Sequence, residues 1–259
     1  MKNLILGLIV CFICGCDSKR QANIKLSQDN LIDSAWNKQD TLPSIITSLS
    51  ELKLDVDSTR NYTSVKQSVQ GIRNGLNPET PHDTLAVIFK ELLLNRIIPY
   101  WEHTPWSFEG HTSEPGVGEI ACGYFVSTTL QDVGVRINRY KLAQQSPENE
   151  ANSLCLSGMP LKIEGDTKED IIKTIDASTK EGIHFLGLDE SHVGYLLKEH
   201  GRLYLIHSNY IYSEGVIIEE VSSSEVFSYF NTFYLAELST NEAFLRHWLS
   251  KIEIEIVKG

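Results

Sequence analysis

His192-Val193-Gly194-Tyr195-Leu196-Leu197-Lys198-Glu199-His200-Gly201-Arg202-Leu203-Tyr204-Leu205-Ile206-His207-Ser208-Asn209 reads as two strands joined by a turn. β-Branched, aromatic and leucine residues fill both halves, and residues 198–202 interrupt them with charge and a glycine. With His200-Gly201 as the central pair, a two-residue hairpin sets 199 opposite 202. Counting back along both strands then sets His192 opposite Asn209 and Gly194 opposite His207, with all four on one face. A three-residue loop would instead send His192 and His207 to opposite faces.

The same texture continues on both sides of the hairpin. Residues 183–188, 215–221 and 232–238 also read as strands, whereas nearly everything before Gly182 reads as helix or loop. Thr80-Pro81-His82-Asp83 offers an N-cap, a proline at the first helical position and an early acid. Leu85, Ile88, Phe89, Leu92, Leu93 and Ile97 then form one apolar face, and that helix should end near Pro99. Val65, Val69 and Ile72 mark a helix before it, and Leu31, Trp36, Ile45 and Leu49 recur at roughly helical spacing. Residues 138–180 read as helices and loops, 241–250 as a helix, and 251–257 alternate like an edge strand. Helices first and antiparallel strands afterwards predict an α+β fold.

Cys122 stands where the two halves can meet. In Ile120-Ala121-Cys122-Gly123-Tyr124-Phe125-Val126 it follows a Gly/Pro-rich loop and opens an apolar helix that Gly134 can end. Unpaired N–H groups at a helix start favour the thiolate, the nucleophilic form. Gly123 would let a substrate carbonyl approach the backbone, as an oxyanion site requires. A cysteine nucleophile needs a base and a group to orient it, and the hairpin supplies both in His192 with His207 or Asn209. The other use of Cys122 is structural, as a core residue or in a disulfide with Cys155.

The order of these residues resembles the NlpC-type peptidases of the papain-like cysteine peptidase superfamily. Their nucleophile stands in Asp-Cys-Ser-Gly-Phe, matched here by Ala121-Cys122-Gly123-Tyr124-Phe125; His192-Val193-Gly194 and His207 match the two histidine positions. The similarity covers roughly residues 84–238. It implies a helical half, with the nucleophile at a helix N-terminus, packed on an antiparallel sheet. It also implies Cys122 as nucleophile, His192 as base and His207 as orienter, acting on amide bonds in the peptide part of peptidoglycan. A tyrosine upstream of the cysteine often supports the oxyanion in that family, and Tyr100 is the nearest one. Ala121 and Gly123 depart from the family's Asp and Ser, so the chain reads as a divergent member. An acyltransferase or transglutaminase-like enzyme on the same fold and a non-catalytic envelope-binding lipoprotein are the other functions that this pattern admits.

The long loop of residues 100–118 carries Trp106, which can line a substrate cleft or cover the core. His103 and His111 invite a zinc reading with Cys122, but neither Cys-x-x-Cys nor His-Glu-x-x-His occurs, and no metal or cofactor is expected. Gly116-Val117-Gly118 lacks the further glycine of a phosphate-binding loop. A formal net charge of −11 gives no electrostatic footprint for nucleic acid.

The N-terminus sets the expected location. Lys2, the apolar run 4–12 and Ile13-Cys14-Gly15-Cys16 are similar to a bacterial lipoprotein signal, with Cys16 as the lipidated residue. Each buried acyl methylene contributes about 0.8 kcal/mol, so several chains would hold the protein at a membrane of the cell envelope, on its periplasmic or outer-surface side. The organisation expected is a signal peptide at 1–15, a polar tether at 16–30, a helical segment at 31–80 and a catalytic domain at 81–259.

Overall fold

Seven α-helices and six strands follow one another among the residues described by the computed structural model, 61–211 and 215–258. The helices α1 (Tyr62–Gly75), α2 (His82–Glu91), α3 (Cys122–Asp132), α4 (Arg139–Ala143) and α5 (Pro147–Leu154) come first. Strand β1 (Leu161–Glu164) and helix α6 (Lys168–Ser178) lead into β2 (Gly182–Leu188), β3 (His192–Glu199), β4 (Arg202–Asn209), β5 (Gly215–Glu220) and β6 (Thr232–Glu237), and α7 (Glu242–Ser250) follows. The fold is α+β. The expected signal peptide, Cys16, the tether and the helical pattern of residues 31–49 lie outside the described residues. Among the described residues, no helix is long and apolar enough to cross a membrane.

One antiparallel sheet runs in the order β1-β6-β2-β3-β4-β5. The hairpin has the two-residue register: Tyr195 faces Ile206 and Glu199 faces Arg202. His200 and Gly201 both take positive φ (51° and 71°), as the tight turn matching strand twist demands. The Glu181 carboxylate accepts both turn N–H groups at 2.8 Å, which fixes the turn to the strand beside it.

Alternation along the strands sorts their side chains into two cores. Ile183, Phe185, Val193, Tyr195, Leu197, Tyr204 and Ile206 face α1, α2, α3 and α7 in the larger one. Leu186, Leu188, Leu196, Leu203 and Leu205 face α6 and Phe227, Phe230 and Phe233 in the smaller. A sheet buried on both faces explains why the β2 sequence is apolar without polar alternation. Each large side chain buried this way contributes about 1.5–3 kcal/mol. The Tyr195 hydroxyl donates to Val126 O (3.0 Å) and lies 2.7 Å from Thr129 Oγ1, so β3 and α3 are held in fixed register.

Four elements differ from the sequence expectation. Thr80 does not cap α2; its hydroxyl donates to Asn77 O at 2.6 Å, and Pro81 is the cap residue. The helix does not run unbroken to Pro99, because Leu92–Ile97 widens to a π-helical turn and Ile98–Trp101 tightens to a 3-10 turn. Strand β1 was hidden because three of its four residues are exposed and it pairs only at the edge, with β6. Residues 251–257 form no edge strand. Lys251 turns the chain at φ 58°, and a single bridge from Glu253 to Arg136 ties the tail to the segment that follows α3 rather than to the sheet. Helix α1 shares the main core with the later helices: Trp101 donates to the Tyr62 hydroxyl (2.7 Å), which donates to Asp132 (2.5 Å).

Candidate functional site

Cys122 is the first residue of α3, and two features place it. Ile120 N–H donates to Pro105 O and Ala121 N–H to Gly110 O, so the long loop folds back and delivers the chain to the helix start. From the sheet side, the Ser208 hydroxyl donates to Ile120 O at 2.7 Å. The strand residue beside His207 therefore fixes the residue two before Cys122. The thiol is half-buried and faces the backbone N–H groups of Val193, Gly123 and Cys122 itself. Val193 is the neighbour of His192, so the thiol lies against the start of β3.

The two strand histidines meet each other across β3 and β4. Both are buried, and His192 Nε2 lies 2.7 Å from His207 Nδ1. His207 Nε2 continues the line to Glu219 Oε1 on β5, 3.0 Å away. A Cβ at position 194 would lie 2.9 Å from the His207 Cβ and 2.8 Å from Ile206 O. Gly194 thus has a direct steric reason: any larger residue would push β4, and His207 with it, away from β3. Phe230 stacks on the His192 ring (centroids 6.1 Å apart, planes at 4°), and Tyr210 stands edge-on to it at 5.4 Å. Of the two ring nitrogens of His192, Nδ1 is buried and has no hydrogen-bond partner.

Asn209 is engaged elsewhere. Although it follows the hairpin face, its side-chain oxygen accepts the Ile211 N–H at 2.8 Å, closing a local turn at the end of β4. The imidazole that touches His192 is His207. Trp106 joins the wall of the site through Tyr210, with ring centroids 5.8 Å apart, and its buried Nε1 has no partner. The Tyr100 ring packs on Tyr62 of α1 with centroids 5.5 Å apart. The space that a Cβ on Gly123 would need is occupied by Ala143 O (3.0 Å) and Glu150 Oε1 (3.2 Å). That glycine is therefore required for the packing of α3 on α4 and α5, whatever passes its other side.

Electrostatics correct one expectation. Burial pushes the Cys122 thiol up to about 11, against the smaller opposing effect of the N–H groups around it. Burial, with His207 second, holds the His192 imidazole well below its ordinary value. At rest the thiol and the imidazole are each neutral, because a crowded apolar surrounding outweighs the helix start. Burial also raises the Glu150 carboxyl well above the ordinary carboxylate value, and one of its oxygens is buried without a partner.

Cys122 and Cys155 are both free, and the Cys155 thiol points to Ser157 O at 3.5 Å. His111 lies against Tyr124 and Tyr140, while His103 sits 3.9 Å from Glu102. Among the described residues, no group of three His, Cys, Asp or Glu side chains converges to hold a metal.

Sequence reasoning missed Glu219, Ser208, Tyr210 and Phe230. Glu219 had one signal, the odd-numbered alternation it shares with Ile217 along β5, but using it required the β4–β5 register, which no turn motif in the sequence between Asn209 and Gly215 fixes. No protein-family model and no curated protein matches this chain.

Proposed function

We propose that the chain is a papain-like cysteine hydrolase, a peptidase or amidase in which Cys122 is the nucleophile, His192 the base and His207 its orienter. One observation carries the reading: the thiol lies against the start of β3 while His192, held through Nε2 by His207, keeps a buried Nδ1 unengaged. A base needs such a nitrogen, and a nucleophile needs such a base.

The reaction is acyl transfer to water. His192 Nδ1 takes the thiol proton as sulfur attacks an amide carbonyl, so thiolate forms during attack and is not stored beforehand. Backbone N–H groups of Cys122 and Gly123 hold the oxyanion. The imidazolium returns its proton to the leaving amine, and water, deprotonated by His192, releases the acyl group. The resemblance to NlpC-type peptidases supports a peptidoglycan stem peptide as substrate, for instance the bond from D-glutamate to a diamino acid. The Cys14-Gly15-Cys16 junction supports a lipid-anchored place at the cell envelope.

Digestion of purified peptidoglycan by wild type and by Cys122→Ala, with fragments identified by mass, tests the reading. New stem-peptide fragments should come from wild type alone. The raised thiol pKa favours a second reading, a binding lipoprotein without turnover, and equal digests would select it. Amine-acceptor products in the same digests would point to an acyltransferase. Metabolic labelling with a fatty-acid analogue should mark wild type and not Cys16→Ala; equal label on both removes the anchor.

A further inference from the structure

We propose that Glu219 is a positioning residue of this site, setting through His207 which nitrogen of His192 is free to take a proton. The proposal rests on the reading of Cys122 and His192 as nucleophile and base. The geometry is a line of three groups on neighbouring strands: His192 Nε2 to His207 Nδ1 at 2.7 Å, and His207 Nε2 to Glu219 Oε1 at 3.0 Å. Both imidazoles are buried, and the Glu219 side chain is about one-fifth exposed. Leu205 stands opposite Glu219 in the β4–β5 ladder, while the next acid, Glu220, approaches Arg202 at 3.9 Å. Two adjacent acids on β5 thus point to opposite faces, one to the buried histidine and one to an arginine.

Proton counting gives the consequence. A carboxylate only accepts, so His207 must carry its proton on Nε2. Its Nδ1 is then a bare lone pair, which accepts from His192 Nε2–H. His192 is left with its lone pair on Nδ1, the nitrogen that has no partner in the resting structure. Without the carboxylate, His207 can equally hold its proton on Nδ1 and donate to His192 Nε2, which moves the His192 proton to Nδ1 and disables the base. The same carboxylate stabilises the positive charge that His192 acquires when it deprotonates the thiol, because that proton can be shared along the line toward Glu219. No proton is gained or lost by the relay itself.

The test uses the full chain labelled with nitrogen-15 in histidine, and long-range proton–nitrogen spectra that report which ring nitrogen is protonated. Wild type should hold His192 in the Nε2–H form at neutral pH, Glu219→Ala should give a mixture of tautomers, and Glu219→Gln, whose amide oxygen can still accept, should retain more of the Nε2–H form than Ala does. On peptidoglycan, kcat should fall about 10–100-fold in Glu219→Ala with KM unchanged and recover in part in Glu219→Gln. An unchanged His192 tautomer in Glu219→Ala overturns the proposal whatever the activity. Equal digests from wild type and Cys122→Ala remove the hydrolase reading instead, and the tautomer spectra still decide the role of Glu219.

Discussion

At its C-terminal end, helix α3 hands its last polar groups to side chains. Trp248 Nε1 donates to Val133 O at 2.9 Å, Arg73 donates to Gly134 O, Val135 N–H closes on Leu130 O, and Asp132 receives the Tyr62 hydroxyl. At its N-terminal end, Ala121 supplies no capping side chain and the N–H groups of Cys122 and Gly123 face a thiol. One buried atom without a partner lies at each end, Arg73 Nε beside Gly134 and an oxygen of Glu150 beside Gly123, so the difference lies in the free N–H groups. Closing a helix end in this way stabilises the fold, whereas an end left unclosed keeps donors for something that comes and goes. The contrast separates the two jobs of one helix, and mutations at the two ends should separate them too.

The largest effect belongs to the open end. His192→Ala should lower turnover about as far as Cys122→Ala does, by roughly 10²–10⁴-fold, because members of such a unit act together. His207→Ala should leave a measurable residual rate. Asn209→Ala should keep near-wild-type kcat and lose about 1 kcal/mol of stability, since its side chain closes a turn. Kinetics on one peptidoglycan-derived peptide and melting curves of the same variants decide this. Near-normal rates for His192→Ala would refute the catalytic assignment.

The thiol itself gives the next largest effect. With a pKa of about 11, Cys122 should react slowly with iodoacetamide at pH 7 and about tenfold faster for each pH unit through pH 10. Peptide mapping distinguishes its adduct from that of Cys155. A rate already at its plateau by pH 7 would show a stored thiolate, as the helix start alone suggested.

That disagreement marks what the sequence could and could not carry. The hairpin register was legible because a two-residue turn with His200-Gly201 leaves one pairing, and strand alternation then fixes which residues share a face. The cysteine at a helix start was legible from the loop-to-helix change at residue 122. The direction of its pKa was not, because the burial that raises it depends on how α3 docks on the sheet. Gly123 shows a similar limit: the sequence suggested its backbone for an oxyanion, but not that its Cβ side makes room for Ala143 and Glu150. Glu219 needed the β4–β5 register, and the sequence between those strands carries no turn motif that would fix it.

The closed end should respond in stability alone. Trp248→Phe keeps the aromatic contact with Phe89 but leaves the buried Val133 carbonyl without its donor. It should cost about 1–3 kcal/mol, a fall in Tm of about 2–4 °C for each kcal/mol, with kcat unchanged. A fall in kcat without a fall in Tm would mean that the two ends of α3 are coupled and break the comparison.

The smallest effect expected is a gain, and it comes from Glu150. Its carboxyl is buried beside Gly123, and burial alone holds its pKa well above the ordinary carboxylate value. For an acid raised in the folded state, the unfolded chain releases its proton first as pH rises. Stability is therefore complete below about pH 4.5 and declines above it, by at most about 1.4 kcal/mol per pH unit, until the folded group also ionises. Glu150→Gln keeps the shape and removes the titration. The variant should melt with wild type near pH 4.5 and a few degrees above it at pH 8. Since an ionised Glu150 also opposes charge on Cys122, the alkylation midpoint of the variant should lie below the wild-type value of about 11. Parallel pH slopes for the two proteins would mean that Glu150 finds a counter-charge in solution, and that the polar atoms left open at the N-terminal end of α3 are fewer than its geometry implies.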